Sequence, residues 1–237
     1  MLKKIQSILN SIQKLSKVPY QITNLESQIE KLEIKCERTY ELMGKNMANQ
    51  FKNSPSLLKS EFTIYAQGGD DGIIQYLIQN LPVKEKKFIE FGVQNYMESN
   101  TRFLLTNDYW SGLIIDANKT ESEFIKNHSI YQTYDLTAVQ SFITKDNINE
   151  LFINNGYEGE IGLLSIDIDG NDYWIWEIIE SVSPMIVIIE YNHRYGPDRK
   201  VTIPYTEGFD RTDAHHSNIY YGASLSALVS LSRTKGY

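Results

Sequence analysis

The sequence predicts a Rossmann-like, doubly wound α/β domain with an N-terminal helical appendage, and three observations carry that expectation. From residue 61 onward, short continuous runs of Ile, Leu, Val and Phe alternate with stretches of helical period. Uninterrupted apolar strands separated by helices are the mark of a mostly parallel sheet covered on both faces. The first 45 residues instead repeat apolar positions in steps of four and three, the spacing of a coiled-coil seam. The length of 237 residues leaves room for one good core and a smaller appendage.

In the appendage, Val18, Ile22, Leu25, Ile29, Leu32, Cys36, Thr39 and Met43 form the seam. Ile22 and Ile29 fall at a positions and Leu25 and Leu32 at d positions, a combination compatible with a parallel dimer. The expected partner is therefore a second copy, a homo-oligomer formed through the N-terminal helix. Ile5, Ile8, Ile12 and Leu15 follow the same rule upstream, with a slip in register where Pro19 breaks or kinks the helix. Residues 1–45 read as helix, 46–60 as a polar linker containing Pro55, and 61–237 as the α/β domain.

Within that domain, 87–93 (KFIEFGV) reads as the first strand, followed by a helix over 98–108. The second strand is 112–117 (GLIIDA), with a helix-like stretch near 121–126 and a weaker extended segment near 131–135 as the third strand. A helix over 141–155, a strand over 161–169, a helix over 173–182 and a strand over 185–192 come next. A final helix runs from 224 to the end, stopping at Gly236.

Charge and cysteine narrow the function classes. The net charge is −7, and residues 1–50 hold eight Lys/Arg against five Glu, so the remainder carries −10. An acidic body argues against nucleic acid as the principal partner. One cysteine excludes an intramolecular disulfide and any multi-cysteine metal site. No apolar run reaches the roughly 18 residues of a membrane span. The N-terminus lacks the continuous apolar stretch of a signal peptide. These features together point to the cytoplasm.

Ligands of such folds bind beyond the carboxyl ends of the strands, so the residues placed there are the candidates. Glu90 and Gly92 follow the first strand, and the glycine lets the turn approach a ligand closely. No G-x-G-x-x-G is present, which leaves dinucleotide binding with little support. Asp116 ends the second strand, where an acid accepts hydrogen bonds from ribose hydroxyls. Asp135, after the weak third strand, sits where an adenine contact is expected. The fourth strand ends in Asp167, Asp169, Asn171 and Asp172, and the fifth in Glu190, Asn192 and His193. Carboxylates so crowded raise one another's pKa unless a cation offsets them. The alternative for Asn171 and Asp172 is turn and helix capping.

FIEFGVQ, GLIIDA, LLSIDIDGNDYWIW and IVIIEYN, in that order, resemble class I S-adenosylmethionine-dependent methyltransferases. The resemblance is closest to the FkbM-type branch found with bacterial polysaccharide-biosynthesis enzymes. YAQGGDDGIIQYLI (65–78) is similar to a segment that those relatives place before the first strand. The resemblance implies an O-methyltransferase acting on a sugar or sugar-nucleotide hydroxyl in surface-glycan synthesis, with S-adenosylmethionine as cofactor. It implies that Glu90 and Gly92 form the cofactor loop, the acid near the methionine amino group. Asp116 would hold the ribose, Asp135 would lie near the adenine, and Gln67 and Asp71 at the methionine end. Asp167 is implied at the cofactor as well. The Asp-x-Asp of 167–169 with Asp172-Tyr173 is also similar to cation-dependent O-methyltransferases. That likeness implies Mg²⁺ or Mn²⁺ on Asp167, Glu190 and Asn192, with Tyr191 as an inserted residue between the acid and the amide. It further implies two closing strands after the last helix, and the stop at Tyr237 is therefore expected to be a truncation.

A sugar hydroxyl is a poor nucleophile and needs a base or a metal. Asp169 and His193 are the expected catalytic residues, with His215 and His216 as further candidates. His128 reads as a surface residue. Residues 193–223 are long and rich in Tyr and Arg, as lids and binding loops are. Two other classes remain open on sequence alone: a metal-dependent hydrolase using Asp167, Asp169 and Glu190, and a non-catalytic coiled-coil scaffold.

Overall fold

A computed structural model describes residues 15–237. The upstream repeat of Ile5, Ile8 and Ile12 lies outside the described residues. The chain divides into two compact units, with the boundary between Asn46 and Met47.

The described part of the first unit is helical. Helix α1 runs from Val18 to Phe51, with Pro19 in its first turn, where the missing N–H costs nothing. The seam residues Ile22, Leu25, Ile29 and Leu32 are all exposed on it. The last residues of α1 belong to the second unit. Met47, Ala48 and Phe51 pack around Phe62, Tyr65 and Phe103, and Phe51 stacks on Phe62. The connector expected over 46–60 is thus shorter, because Met47 and Phe51, one turn apart, give the helix an apolar face to bury.

The second unit holds a five-stranded, all-parallel sheet of order β3-β2-β1-β4-β5. Its strands are β1 (Lys87–Phe91), β2 (Ser111–Asp116), β3 (Leu136–Gln140), β4 (Gly159–Ile166) and β5 (Val182–Ile189). Register places Phe91 beside Ile115 on one flank and Ile166 on the other. That aligns the ends of the three central strands.

Side-chain alternation along the strands builds two cores. Ile89, Phe91, Leu113, Ile115, Leu164 and Ile166 face one side. They are covered by Ile148 and Phe152 of α6 (Ile148–Asn154), Ile175 and Trp176 of α7 (Asp172–Ile178), and Leu228 and Leu231 of α9 (Leu225–Thr234). Phe88, Ile114, Leu163 and Ile186 face the other side. There the cover is Ile74 of α2 (Asp70–Asn80), Leu104 and Leu105 of α3 (Arg102–Asp108), Ile125 of α4 (Lys119–Asn127) and Ile130 of α5 (Ser129–Thr133). The doubly wound class expected from the sequence is the observed one. Leu225, at the start of α9, is exposed. Between β5 and α9 the chain forms the short helix α8 (Arg211–Ala214) and a single bridge from Thr202 to Ala223.

The third strand differs from expectation. Residues 129–133 form α5, and the strand begins after Asp135 rather than ending there. His128, half-buried, caps that helix by accepting the Ile130 N–H on Nδ1. Two helices are shorter than their apolar pattern suggested. Helix α6 starts at Ile148, because the Asn147 side chain ties down the preceding turn through the Thr144 N–H and the Phe142 carbonyl. Helix α3 starts at Arg102, because Glu90 takes up the N–H groups of Asn100 and Thr101. Among the described residues, no helix is long and apolar enough to cross a membrane.

Candidate functional site

A cavity of about 490 Å³ opens at the carboxyl ends of the strands. Each strand contributes to its wall: Gly92 and Gln94 after β1, Asp116 and Ala117 at β2, Ser141 to Ile143 after β3, Asp167 to Asp169 after β4, and Glu190 after β5. Phe209 and Arg211 of the 193–223 segment complete it. A smaller annex, bounded by Asp70, Glu98 and Asn100, shares Gln67, Gly92, Gln94 and Asp167 with the main cavity.

Gly92 is where the sheet makes the site possible. Its φ is +81°, and a Cβ there would stand 1.5 Å from the carbonyl oxygen of Asp167. The turn after β1 therefore lies directly on the end of β4, and only a glycine allows it. From that turn the Gln94 N–H donates to Asp116 Oδ2 at 2.7 Å, while Oδ1 accepts the Asn118 N–H at 2.7 Å. These bonds fix the Asp116 carboxylate at the rim with a free acceptor site on each oxygen.

Glu90 lines the annex, and both it and Asp71 also hold the local backbone. Glu90 is buried, and its oxygens accept from the Ser99 hydroxyl, the Asn100 N–H and both the N–H and hydroxyl of Thr101, at 2.5–3.0 Å. Burial pushes its pKa up and these donors pull it back. It shapes the 92–101 loop. Asp71 is buried on α2, where its Oδ2 accepts the N–H groups of Ile64, Tyr65 and Ala66. It holds the turn before α2, and its neighbour Asp70 reaches the annex instead. Gln67 does line both spaces, hydrogen-bonded to Glu98.

The 167–172 loop is organised from below. Asp172, fully buried at the start of α7, accepts the Ile168 and Gly170 N–H groups at 2.9 Å each. Asn171 donates to the Thr206 carbonyl, and Gly170 leaves room for the Phe209 ring, which a Cβ would meet at 2.3 Å. The turn alternative thus holds for Asp172, whereas Asn171 makes no side-chain cap bond, ties the loop to the 193–223 segment and lines the cavity. What the loop presents is Asp167 and Asp169. Asp167, Asp169 and Glu190 each offer an oxygen within 4.8 Å of the others. Arg211 pairs with Asp169 and lies over the Tyr221 ring.

Glu190 is pushed up to about 8, by burial first and then by the charges of Asp167, Asp172 and Asp169. Its Oε2 is buried without a hydrogen-bond partner. Asp167 opens onto the cavity, yet its carboxyl is raised too, by the protein mass around it first and by Asp169 next. A folded state that holds a proton the unfolded chain has released loses stability as pH rises. Stability is therefore expected to fall between about pH 4.5, the ordinary glutamate value, and about pH 8. Glu190→Gln should flatten that part of the profile. Chemical denaturation at several pH values checks it, and parallel profiles for the two proteins would remove Glu190 as the cause.

Three sequence expectations are corrected by this geometry. Asp135 precedes β3, and its carbonyl accepts the Gly112 N–H at the start of β2, so it stands at the opposite end of the sheet from the cavity. Ser141, Phe142 and Ile143 occupy the place assigned to it. Asn192 is fully buried and spent: its amide donates to the Ile219 and Tyr221 carbonyls and its oxygen accepts the Arg194 N–H. It stitches the 193–223 segment and is not a metal ligand. His193 is exposed in the turn His193–Tyr195 and takes no part in the cavity wall. His215 and His216 are likewise exposed, their rings in tilted contact, and away from the wall.

The residues missed by the sequence reading fall into two kinds. Ser141 to Ile143 follow directly from the alternating run LTAVQ (136–140), which is a strand signal in its own right. Phe209 and Arg211 lie in the 193–223 segment that reads as a binding loop, but nothing local singles out these two residues, since Arg211 meets Asp169 across 42 positions of chain.

No protein-family model matches this chain, and neither a curated protein nor a solved structure matches it significantly. Its class rests on the fold and the cavity. It is a Rossmann-like α/β domain compatible with a nucleotide- or cofactor-binding enzyme, with its acids gathered at the strand ends.

Proposed function

We infer that the chain is an S-adenosylmethionine-dependent O-methyltransferase whose acceptor is a sugar or sugar-nucleotide hydroxyl in surface-glycan synthesis. One observation carries the cofactor reading. The cavity wall bears four carboxylates, Asp116, Asp167, Asp169 and Glu190, against the single guanidinium of Arg211. Such a wall repels the pyrophosphate of a dinucleotide and favours a nucleoside that carries positive charge. The volume suits a ligand of that size.

In this reading Asp116 accepts the ribose hydroxyls, and Ser141 to Ile143 flank the base. Gly92 and Gln94 form the floor between them. Bound S-adenosylmethionine supplies an electrophilic methyl group, so the protein's work is chiefly alignment. In its ionised form Asp167, next to the protonated Glu190 at the ends of β4 and β5, takes up the proton of an acceptor hydroxyl. Asp169 is held by Arg211 and positions the acceptor side of the cavity. Mg²⁺ or Mn²⁺ fits the same three acids, which are oxygen donors of the right class. The unpaired Glu190 Oε2 is an acceptor such an ion satisfies. Asp167, Asp169 and Glu190 would hold such an ion, which would supply Lewis-acid chemistry to the acceptor hydroxyl.

Calorimetric titration with S-adenosylmethionine, its demethylated product and NAD tests the reading. S-adenosylmethionine should bind and NAD should not. Asp116→Ala should weaken binding by about 1.5–3 kcal/mol, the range for a hydrogen bond to a charged group, or roughly ten- to a hundredfold in Kd. Asp116→Asn, which keeps one acceptor for the Gln94 N–H, separates loss of the contact from loss of the loop. Unchanged affinity in both folded variants would remove Asp116 from the site. Absence of S-adenosylmethionine binding would remove the function.

A further inference from the structure

We propose that α1 pairs with the α1 of a second copy as a parallel, in-register, two-stranded coiled coil that sets Cys36 against Cys36. The surface is an apolar stripe exposed among the described residues. Val18, Ile22, Leu25, Ile29 and Leu32 are 40–60% exposed, far more than single surface apolars in a monomeric protein need be when they fall in one line. Cys36, Thr39 and Met43 continue the same stripe, all exposed.

The stripe is self-complementary. Its steps of four and three keep a and d positions on one line, and a second identical helix supplies the holes for those knobs. Ile at a with Leu at d selects two strands.

Flanking charge selects the direction. With Ile22 and Ile29 at a, Glu26 and Glu33 fall at e, and Gln21 and Gln28 at g. A parallel pair sets Gln21 against Glu26 and Gln28 against Glu33 of the other copy, contacts without repulsion. An antiparallel pair sets e against e, bringing Glu26 and Glu33 of the two helices together, which is unfavourable. In the parallel, in-register pair Cys36, at an a position, faces its own equivalent. The chain has one cysteine, so any interchain disulfide reports on that geometry. It requires the two Cα atoms to approach within about 4.4–6.8 Å.

The test uses the full-length chain. Its mass by light scattering is expected to be twice the 27.4 kDa of one chain. Mild oxidation with diamide is expected to convert the native protein to a disulfide-linked dimer on a non-reducing gel, under conditions where the denatured protein gives none. Cys36→Ser should abolish that band and leave the non-covalent dimer. Ile29→Lys, which opposes two ammonium groups in the middle of the seam, should yield a monomer whose α/β domain melts as before. A monomeric or trimeric mass for the natural protein overturns the two-stranded pairing. A dimeric mass without the Cys36 cross-link overturns the parallel register.

Discussion

Gly92→Ala is expected to cost about 2–5 kcal/mol of folding stability and to abolish cofactor binding in whatever folds. Two penalties add. At φ +81° a Cβ meets its own carbonyl, which costs about 1–2 kcal/mol. The same Cβ would stand 1.5 Å from the Asp167 oxygen and 2.6 Å from its carbon, and overpacking costs about 1–3 kcal/mol or more. The obstacle is backbone, so no rotamer change relieves it. β1 and β4 must part at their ends, and Asp167 leaves the cavity wall. Gly156 is the control: it has the same φ of +81° with nothing within 4 Å of its Cβ position. Gly156→Ala should show the first penalty alone and bind ligand normally. Urea denaturation of the two variants makes the comparison, and equal losses would show that the close approach to Asp167 has no energetic weight.

Asp172→Ala is expected to cost about 2–5 kcal/mol, since one buried and one half-buried N–H group lose their acceptor at about 1–3 kcal/mol each. Those groups belong to Ile168 and Gly170, so the change dismantles the loop that carries Asp167 and Asp169. Affinity for a cationic ligand or a divalent ion should fall with stability, although Asp172 itself is buried away from the cavity. Asp172→Asn keeps one acceptor and should lie between. Burial raises the Asp172 carboxyl to about 6, with Asp167 adding to the shift. The loss should accordingly be larger at acid pH, where the native acid is neutral, than above about pH 6, where the natural protein already bears the cost of a buried charge. Denaturation at pH 5 and pH 8 with a parallel titration checks this. A variant as stable as the natural protein, with its ligand affinity intact, would assign the loop's order to other residues.

How far the site was legible depended on what each residue's place required. Gly92, Asp116 and Asp167 lie at the ends of buried strands, and a strand with both faces buried announces itself as an unbroken apolar run. Once the runs are found, their last residues follow. Asp135 shows where this fails. The third strand lies at the edge of the sheet and is only partly buried, so its apolar signal is weak and it was placed one segment too early. That displacement moved its terminal residue to the wrong end of the sheet. Asn192 shows a second failure. Asp, Asn and Glu after a strand look alike in sequence whether they face a ligand or bond the backbone beneath it. Asn192 and Asp71 bond the backbone, Asp169 and Glu190 are open to the cavity, and Glu90 holds its loop while lining the annex.

The sequence by itself determined the doubly wound class, the helical appendage with its seam, and the concentration of acids after the fourth and fifth strands. These are consequences of local period and of order along the chain, and neighbouring residues suffice to express them. Tertiary structure alone decided which acids share the cavity, that Arg211 is their counter-charge, and that Asp71, Asp172 and Asn192 are spent on backbone. Each of those depends on contacts closed between distant segments, and the free lone pairs of a side chain can be counted only after its neighbours are in place.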